Sequence, residues 1–152
     1  MPSQHRKMSQ PIQRFSEPLR IEPFIRSFPM PLEEWYVILE SRPNILIRAD
    51  KSRLEQTMFA LMPHLRQEVI QWRAGMKLEL PKAFEGTLVV EGLEKLSPAE
   101  WQALDDWLTN STSRVQVISS TAEDPMHLMT TCGFPVSLYY RLNTVVLDLM
   151  RP

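Results

Sequence analysis

Glycine is scarce in this chain, and its scarcity excludes a phosphate-binding loop of the common type. Only 4 of the 152 residues are glycine, and none precedes Gly75. A P-loop of the pattern G-x-x-x-x-G-K-[ST] needs glycines so that backbone amides can approach the phosphates closely. The amino-terminal half of the chain therefore has no such loop.

Cysteine and histidine are also sparse. The single Cys132 excludes an internal disulfide, and His5, His64 and His127 are too scattered for the ligand spacing of a structural zinc site. We therefore expect no metal site, a Cys132 thiol that is buried, and the reducing environment of a cytoplasm.

Long apolar runs and an excess of one charge are missing as well. No run approaches the 18 apolar residues of a membrane span, and the basic amino terminus is not followed by the apolar stretch of a secretory signal. Lys and Arg number 17 against 18 Asp and Glu, so a net charge of −1 favours neither nucleic acid nor an acidic substrate. The sequence predicts a soluble cytoplasmic protein that does not contact a membrane.

Residues 1–31 differ from the rest in composition. They hold 6 of the 13 prolines and five basic residues against two acidic ones. This Pro-rich, weakly basic arm is predicted to be partly disordered, although its apolar residues are too many for a pure linker. An arm that touches nucleic acid is an alternative to a solvated leader.

Beyond the arm, aliphatic strand patterns alternate with helical patterns and no internal repeat occurs. Strands are predicted at 44–48, 68–72, 87–90, 114–119 and 144–149, and helices or helical turns at 31–39, 54–61, 97–108, 126–129 and 136–142. Alternation of this kind is typical of an α/β fold with a parallel sheet. Residues 32–152 are predicted to form one such domain.

The stretch from Gly86 to Leu108 is the predicted centre of the fold. Residues 87–90 are apolar or β-branched without alternation, which indicates a strand buried on both faces. Ser97 and Glu100 have the spacing of a capping box, and Pro98 lies at the first helical position. Glu91 and Gly92 follow the strand at its carboxyl end, where open α/β sheets bind their ligands.

Two stretches resemble the AAA+ domain of sigma-54-dependent bacterial transcriptional activators. Residues 86–97, G-T-L-V-V-E-G-L-E-K-L-S, are similar to that family's Walker B strand and helix start, typically G-T-L-F-L-D-E-I-G-E-L-S. Residues 133–149, G-F-P-V-S-L-Y-Y-R-L-N-T-V-V-L-D-L, are similar to its G-x-F-R-x-D-L-Y-Y-R-L-N-V-V-x-L-x-L. The resemblance implies a shortened parallel-sheet, three-layer sandwich of the P-loop NTPase (AAA+) type.

The resemblance is weakest where the family binds phosphate. At the Walker A position the chain reads I-R-A-D-K-S, which keeps Lys51 and Ser52 but has a short loop. Asp50 beside them would repel a phosphate. The resemblance makes Lys51 and Ser52 candidate nucleotide-binding residues, and the alternative is that both simply begin a helix.

At the Walker B position the resemblance is partial. Glu91 stands where the family has its magnesium-binding Asp, and it either holds a metal or is a solvated residue at a strand end. Gly92 stands where the family has the Glu that activates water, and it has no side chain to act as a base. Ala122 replaces the sensor Asn and leaves Thr121 beside it as a further nucleotide-binding candidate. No catalytic residue is predicted, and Mg-ATP is only a weak alternative to the absence of a cofactor.

This chain keeps one of the family's two inter-subunit arginines. The first matches Pro135, and the second matches Arg141, which either reaches a neighbouring subunit's nucleotide or ties its helix to its own sheet. About 13 residues join Trp72 to Gly86, so the sigma-contacting Gly-Ala-Phe-Thr-Gly-Ala loop is missing. We also expect no helical lid and no DNA-binding domain.

These departures predict a degenerate module rather than an enzyme. We expect an ATPase-inactive sigma-54-activator-like AAA+ module that acts by protein contact in bacterial transcription regulation. Its partner would be an intact AAA+ activator or a second copy, met through Arg141 and the surface around residues 138–140. One alternative is a weak ATP-binding sigma-54 interaction domain. Another is a nucleic-acid-associated accessory protein that uses the basic arm, although nucleic acid is not favoured.

Overall fold

The computed structural model describes residues 31–65, 68–111 and 114–150. The predicted arm, up to residue 30, lies outside the described residues. Within them, helices and strands occur in the order α1 (Leu32–Ser41), β1 (Ile45–Arg48), α2 (Lys51–Leu61), β2 (Val69–Trp72), β3 (Thr87–Glu91), α3 (Pro98–Asn110), β4 (Gln116–Thr121), α4 (Pro125–Thr131), α5 (Val136–Leu142) and β5 (Val145–Asp148). Short 3-10 turns lie at Met62–His64 and Leu93–Lys95.

The five strands form one parallel sheet in the order β2-β3-β4-β1-β5. The chain goes from β1 to the far edge at β2, returns through β3 and β4, and then passes β1 to reach β5. One row of paired residues crosses the sheet through Val89, Ile118 and Ile45. Because all strands point the same way, their carboxyl ends meet at one edge, which we call the carboxyl edge.

Helices cover both faces of the sheet. On one face, α1 and α2 pack against β1, β3, β4 and β5 in a core that contains Trp35, Met58 and Leu61. On the other face, α3, α4 and α5 pack against β1, β3 and β4 through Trp101, Leu104, Leu128, Leu138 and Leu142. The predicted α/β architecture with a parallel sheet between two helical layers is confirmed.

The centre of the fold forms as its sequence indicates. Residues 87–90 of β3 are all buried, as predicted from a run without alternation. The Ser97 hydroxyl accepts from the Glu100 amide at 3.1 Å, and the Glu100 carboxylate accepts from the Ser97 amide at 2.9 Å. The capping box is confirmed, and Pro98 begins α3.

Gly86 directly precedes β3 and lies beside Glu68, which directly precedes β2. A Cβ atom at Gly86 would stand 2.2 Å from the backbone oxygen of Glu68 and 2.7 Å from the Phe84 ring. That Glu68 oxygen accepts the Thr87 amide at 3.0 Å, which begins the pairing of the two strands. Residue 86 therefore has room for no side chain.

Two predictions need correction. The fourth strand runs from Gln116 to Thr121 rather than over 114–119, because its buried polar residues at 119–121 continue the pairing with β1 and β3. Cys132 is exposed, so the prediction of a buried thiol is wrong. It is the C-cap residue of the short α4, one turn beyond the buried Leu128.

Two further observations concern the described ranges as a whole. None of their helices has the length and apolar composition that a membrane crossing requires. No three His, Cys, Asp or Glu side chains in these ranges lie together in a way that could hold a metal ion.

Candidate functional site

A cleft of about 420 Å³ opens at the carboxyl edge of the sheet. Its walls come from residues at or just after the ends of β1, β2, β3 and β4, together with the first turn of α2. They are Ala49, Lys51, Leu54, Arg73, Ala74, Glu91, Gly92, Glu94, Lys95, Ser120 and Ala122. Three cationic and two anionic side chains thus surround a floor of small and aliphatic residues.

The connection from β1 to α2 consists of two residues, Ala49 and Asp50. Asp50 is the N-cap of α2, and its carboxylate accepts the Arg53 amide at 2.8 Å. Lys51 and Ser52 are the first two residues of the helix, and both are exposed. Lys51 lines the cleft, whereas Ser52 does not. One of the amides that a helix start offers to an anion, that of Arg53, is therefore already bound by a carboxylate of the same chain.

Glu91 ends β3 with its carboxylate in the cleft and in contact with Arg73. The Arg73 Nε donates to Glu91 Oε2 at 3.2 Å. Arg73 directly follows β2, and because Trp72 pairs with Val90, the next residues of the two strands come side by side. The Arg73 guanidinium therefore lies beside the Glu91 carboxylate, for which the resemblance implies a metal-binding role.

Gly92 lies at the turn after β3 in a left-handed backbone conformation, with φ of 97°. Its amide donates to the carbonyl oxygen and to the hydroxyl of Ser120, at 3.2 and 3.1 Å. A Cβ atom here would lie 3.2 Å from the Lys95 side chain. Position 92 therefore differs from that of a water-activating carboxylate in two ways. It has no side chain, and its left-handed backbone disfavours any residue that has one.

Thr121 is buried at the end of β4 and does not line the cleft. Its hydroxyl accepts the Glu123 amide at 3.0 Å and lies 3.3 Å from the Glu123 carbonyl oxygen, to which it donates. Of the four predicted nucleotide-binding residues, the structure thus brings Lys51 and Glu91 into one cleft. It leaves Ser52 and Thr121 outside.

Three charged residues of the cleft, Arg73, Glu94 and Lys95, were not predicted. Glu94 Oε2 accepts the Ala122 amide at 3.3 Å, which connects the turn after β3 to the end of β4. Its other oxygen is buried and has no hydrogen-bond partner among the described residues. Arg73 could have been found from its position directly after a predicted strand, whereas Glu94 lies in a turn that no pattern marks.

Arg141 lies far from this cleft, at the opposite edge of the sheet. Its Nε donates to Asp105 Oδ1 of α3 at 3.2 Å. Its carbonyl oxygen accepts from Asn44, which precedes β1. Asp105 Oδ2 also accepts the Ser137 hydroxyl at 2.5 Å. Within its own chain, Arg141 therefore joins α5 to α3 through its side chain and to the start of β1 through its carbonyl oxygen.

The predicted contact surface around residues 138–140 is only partly exposed. Leu138 is fully buried in the core under α5, so its side chain forms no part of the exposed surface there. Tyr140 is 69% exposed, and Val136, one turn earlier, is exposed as well. The outward face of α5 thus presents these two apolar side chains.

Solved structures of similar fold include those of NtrX from Brucella abortus. NtrX in complex with ATP aligns with 78% of this chain at a TM-score of 0.54 and 14% sequence identity. NtrX in complex with ADP aligns with 95% of it at a TM-score of 0.55 and 13% identity. The alignments cover 35% and 42% of the NtrX chains, so this chain spans less than half the length of those proteins.

The comparison bears on the fold. The described parallel sheet with its flanking helices matches the fold of the aligned part of NtrX, and the predicted α/β fold class is confirmed. No protein-family model matches the chain, and no curated protein matches it.

Proposed function

We propose that this chain is a sigma-54-activator-like AAA+ module that does not hydrolyse ATP and acts by protein contact in bacterial transcription regulation, in the cytoplasm. The observation that carries the proposal is the two-residue connection from β1 to α2, capped by Asp50. An ATPase of this fold needs a longer loop there, whose backbone amides surround the phosphates.

A carboxylate of the same chain lies at the helix start where a phosphate would bind. The Asp50 carboxylate already accepts the Arg53 amide, which is among the amides that a phosphate at this helix start would use. A phosphate brought to the same place would meet a negative charge at hydrogen-bonding distance. The start of α2 therefore repels the ligand that the fold would otherwise bind there.

The metal and water positions are altered in the same way. The Arg73 guanidinium next to Glu91 supplies the positive charge that a divalent cation would supply. Gly92 cannot act as a base, and its left-handed conformation disfavours any residue that could. Both changes support a module that keeps the fold without the hydrolytic step.

The second candidate is a weak nucleotide-binding sigma-54 interaction domain. The presence of Lys51 and Glu91 in one cleft of about 420 Å³ favours it, since that volume suits a small ligand. The third candidate, an accessory protein that binds nucleic acid through the basic arm, depends on residues outside the described ranges.

Titration of the full chain with Mg-ATP separates the first two candidates. We expect no affinity better than millimolar and no ATP hydrolysis. Asp50→Gly should not create binding, because the connection keeps two residues, and it should leave the fold intact, because Gly at an N-cap costs only a few tenths of a kcal/mol. A submillimolar dissociation constant that rises in Glu91→Gln would overturn the proposal in favour of a nucleotide-binding domain.

The protein-contact part of the proposal rests on the exposed side chains of α5. We expect an intact AAA+ activator, co-expressed with this chain, to co-purify with it. Tyr140→Ala should reduce the co-purified amount severalfold, since an exposed aromatic side chain supplies much of the contact area in such interfaces.

Met76→Ala is the matched control, because Met76 is also exposed but lies after β2. Arg141→Ala is a poor probe of this contact, since it disturbs the Asp105 pair as well. No co-purification, or equal loss in both variants, contradicts the proposed contact.

A further inference from the structure

We propose that the amino-terminal arm, residues 1–30, docks in cis on an acidic and apolar surface formed by the outer sides of α1 and α2. We call this surface the helical face and define it by Glu33, Val37, Glu40, Glu55 and Phe59. The proposal is independent of the loss of ATP hydrolysis and concerns the opposite side of α2 from its core contacts.

The helical face carries the most exposed large apolar side chain of the described residues. Phe59 is 84% exposed, and Val37 is exposed too. Both helices turn their other sides to the same core cluster, α1 through Trp35 and α2 through Met58. Val37 and Phe59 therefore lie on the same side of the sheet and point away from it.

Carboxylates flank these two apolar side chains. On α1, Glu33 and Glu40 lie four residues before and three residues after Val37, and all three are exposed. On α2, exposed Glu55 lies one turn before Phe59. The helix Leu32–Ser41 contains no basic residue. Residues three or four apart are neighbours on a helix surface, so Val37 has acidic neighbours on both sides and Phe59 has one, Glu55. The exposed basic residues of α2, Lys51 and Arg53, lie in its first turn, two turns before Phe59.

The arm has the complementary composition. It holds five basic and two acidic residues, whereas the remainder of the chain holds 12 basic and 16 acidic ones. Arg14, Arg20 and Arg26 alternate with the arm's apolar residues, which include Ile12, Phe15, Leu19, Ile21, Phe24 and Phe28. The arm therefore has basic side chains for the carboxylates of the helical face and apolar side chains for Val37 and Phe59.

The connection point favours this occupant. The arm ends at Pro31, which is the N-cap of α1, so it joins the chain at the helical face itself. The 10 residues of α1 span about 15 Å, which about five extended residues can cross. A tethered segment has an effective concentration of about millimolar, which is an advantage that a separate protein lacks.

Limited trypsin digestion of the full chain tests the docking. We expect cleavage after Arg14, Arg20 and Arg26 to be at least about tenfold slower than in a synthetic peptide of residues 1–30, because a docked segment is cleaved only when it opens. Phe59→Ser should remove most of this protection. Glu55→Lys should remove part of it, and salt should weaken it, since exposed charges are screened.

Tyr140→Ser is the matched control, because it removes an exposed aromatic side chain on the other face of the sheet and should leave the cleavage rate unchanged. Circular dichroism melts show whether each variant is folded before digestion. Equal cleavage of the chain and the peptide, or equal protection in Phe59→Ser and wild type, overturns the proposal. So does protection that disappears on dilution, which would assign the face to a second copy, or protection that needs added duplex DNA.

Discussion

Gly86→Ala should destabilise this protein by about 3 kcal/mol, the largest effect of any single methyl group that we expect. The added Cβ would stand 2.2 Å from the Glu68 carbonyl oxygen, a backbone atom that cannot rotate away. The oxygen would have to move, and with it the hydrogen bond to the Thr87 amide that begins the pairing of β2 with β3. In a thermal melt the midpoint should fall by about 6–12 °C, given about 2–4 °C per kcal/mol for a chain of this size.

Gly75→Ala is the control for this prediction. Gly75 has a φ of 93°, but a Cβ atom added to it would have no other atom within 4 Å, so alanine there meets backbone strain without a clash. Left-handed conformations cost a non-glycine residue roughly 1–2 kcal/mol. Equal losses in the two variants would show that close approach of β2 is not what requires glycine at position 86.

Arg141→Ala should destabilise the protein by about 2 kcal/mol, and more than Asp105→Ala does. The Asp105 side chain is only 10% exposed, whereas that of Arg141 is 42% exposed. Removal of the arginine leaves a buried carboxylate with one remaining donor, the Ser137 hydroxyl. Removal of the aspartate leaves Arg141 and Ser137, both of which can turn to water.

The double variant, with Arg141→Ala and Asp105→Ala together, tests whether the cost of removing the arginine comes from the unpaired Asp105 carboxylate. Once Asp105 is alanine, Arg141→Ala should cost almost nothing, because no buried charge is left unpaired. Urea or thermal unfolding of the two single variants and the double variant gives the three free energies that the comparison needs. If Arg141→Ala costs as much in the Asp105→Ala background as in wild type, the arginine stabilises the fold through other contacts.

Periodicity and capping signals are sufficient to predict most of the fold. The run at 87–90 and the Ser97-Glu100 spacing predict a buried strand and the start of a helix, since these features depend on local sequence alone. The order of strands in the sheet does not depend on local sequence alone. Only the resemblance to AAA+ domains bears on that order. The limits of β4 differ from the prediction because Ser119, Ser120 and Thr121 are polar residues buried by tertiary contacts.

The candidate site is predictable only where a single strand end determines it. Glu91 is found from its place at the carboxyl end of β3, Lys51 from the resemblance to the family's phosphate-binding position, and both line the cleft. The Arg73–Glu91 pair requires knowledge that β2 lies beside β3 in a given register, which no local pattern contains. Ser52 and Thr121 do not reach the cleft because helix start and turn geometry direct them elsewhere.

Asp105 carries a signal in the sequence that our prediction of the site did not use. Trp101, Leu104, Asp105 and Leu108 have the spacing of one helix face. A carboxylate within an apolar face predicts burial with a cationic partner, and the partner proves to be Arg141.

The cap on α2 also has a consequence for how the cell sets the amount of folded protein. A protein whose native state binds nucleotide gains stability with the logarithm of nucleotide concentration, by thermodynamic linkage. Under the proposed function no nucleotide binds at the start of α2, where the Arg53 amide already has the Asp50 carboxylate as its acceptor, and the folded state gains no such term. The free energy of unfolding of the module would then be independent of the nucleotide concentration in the cell.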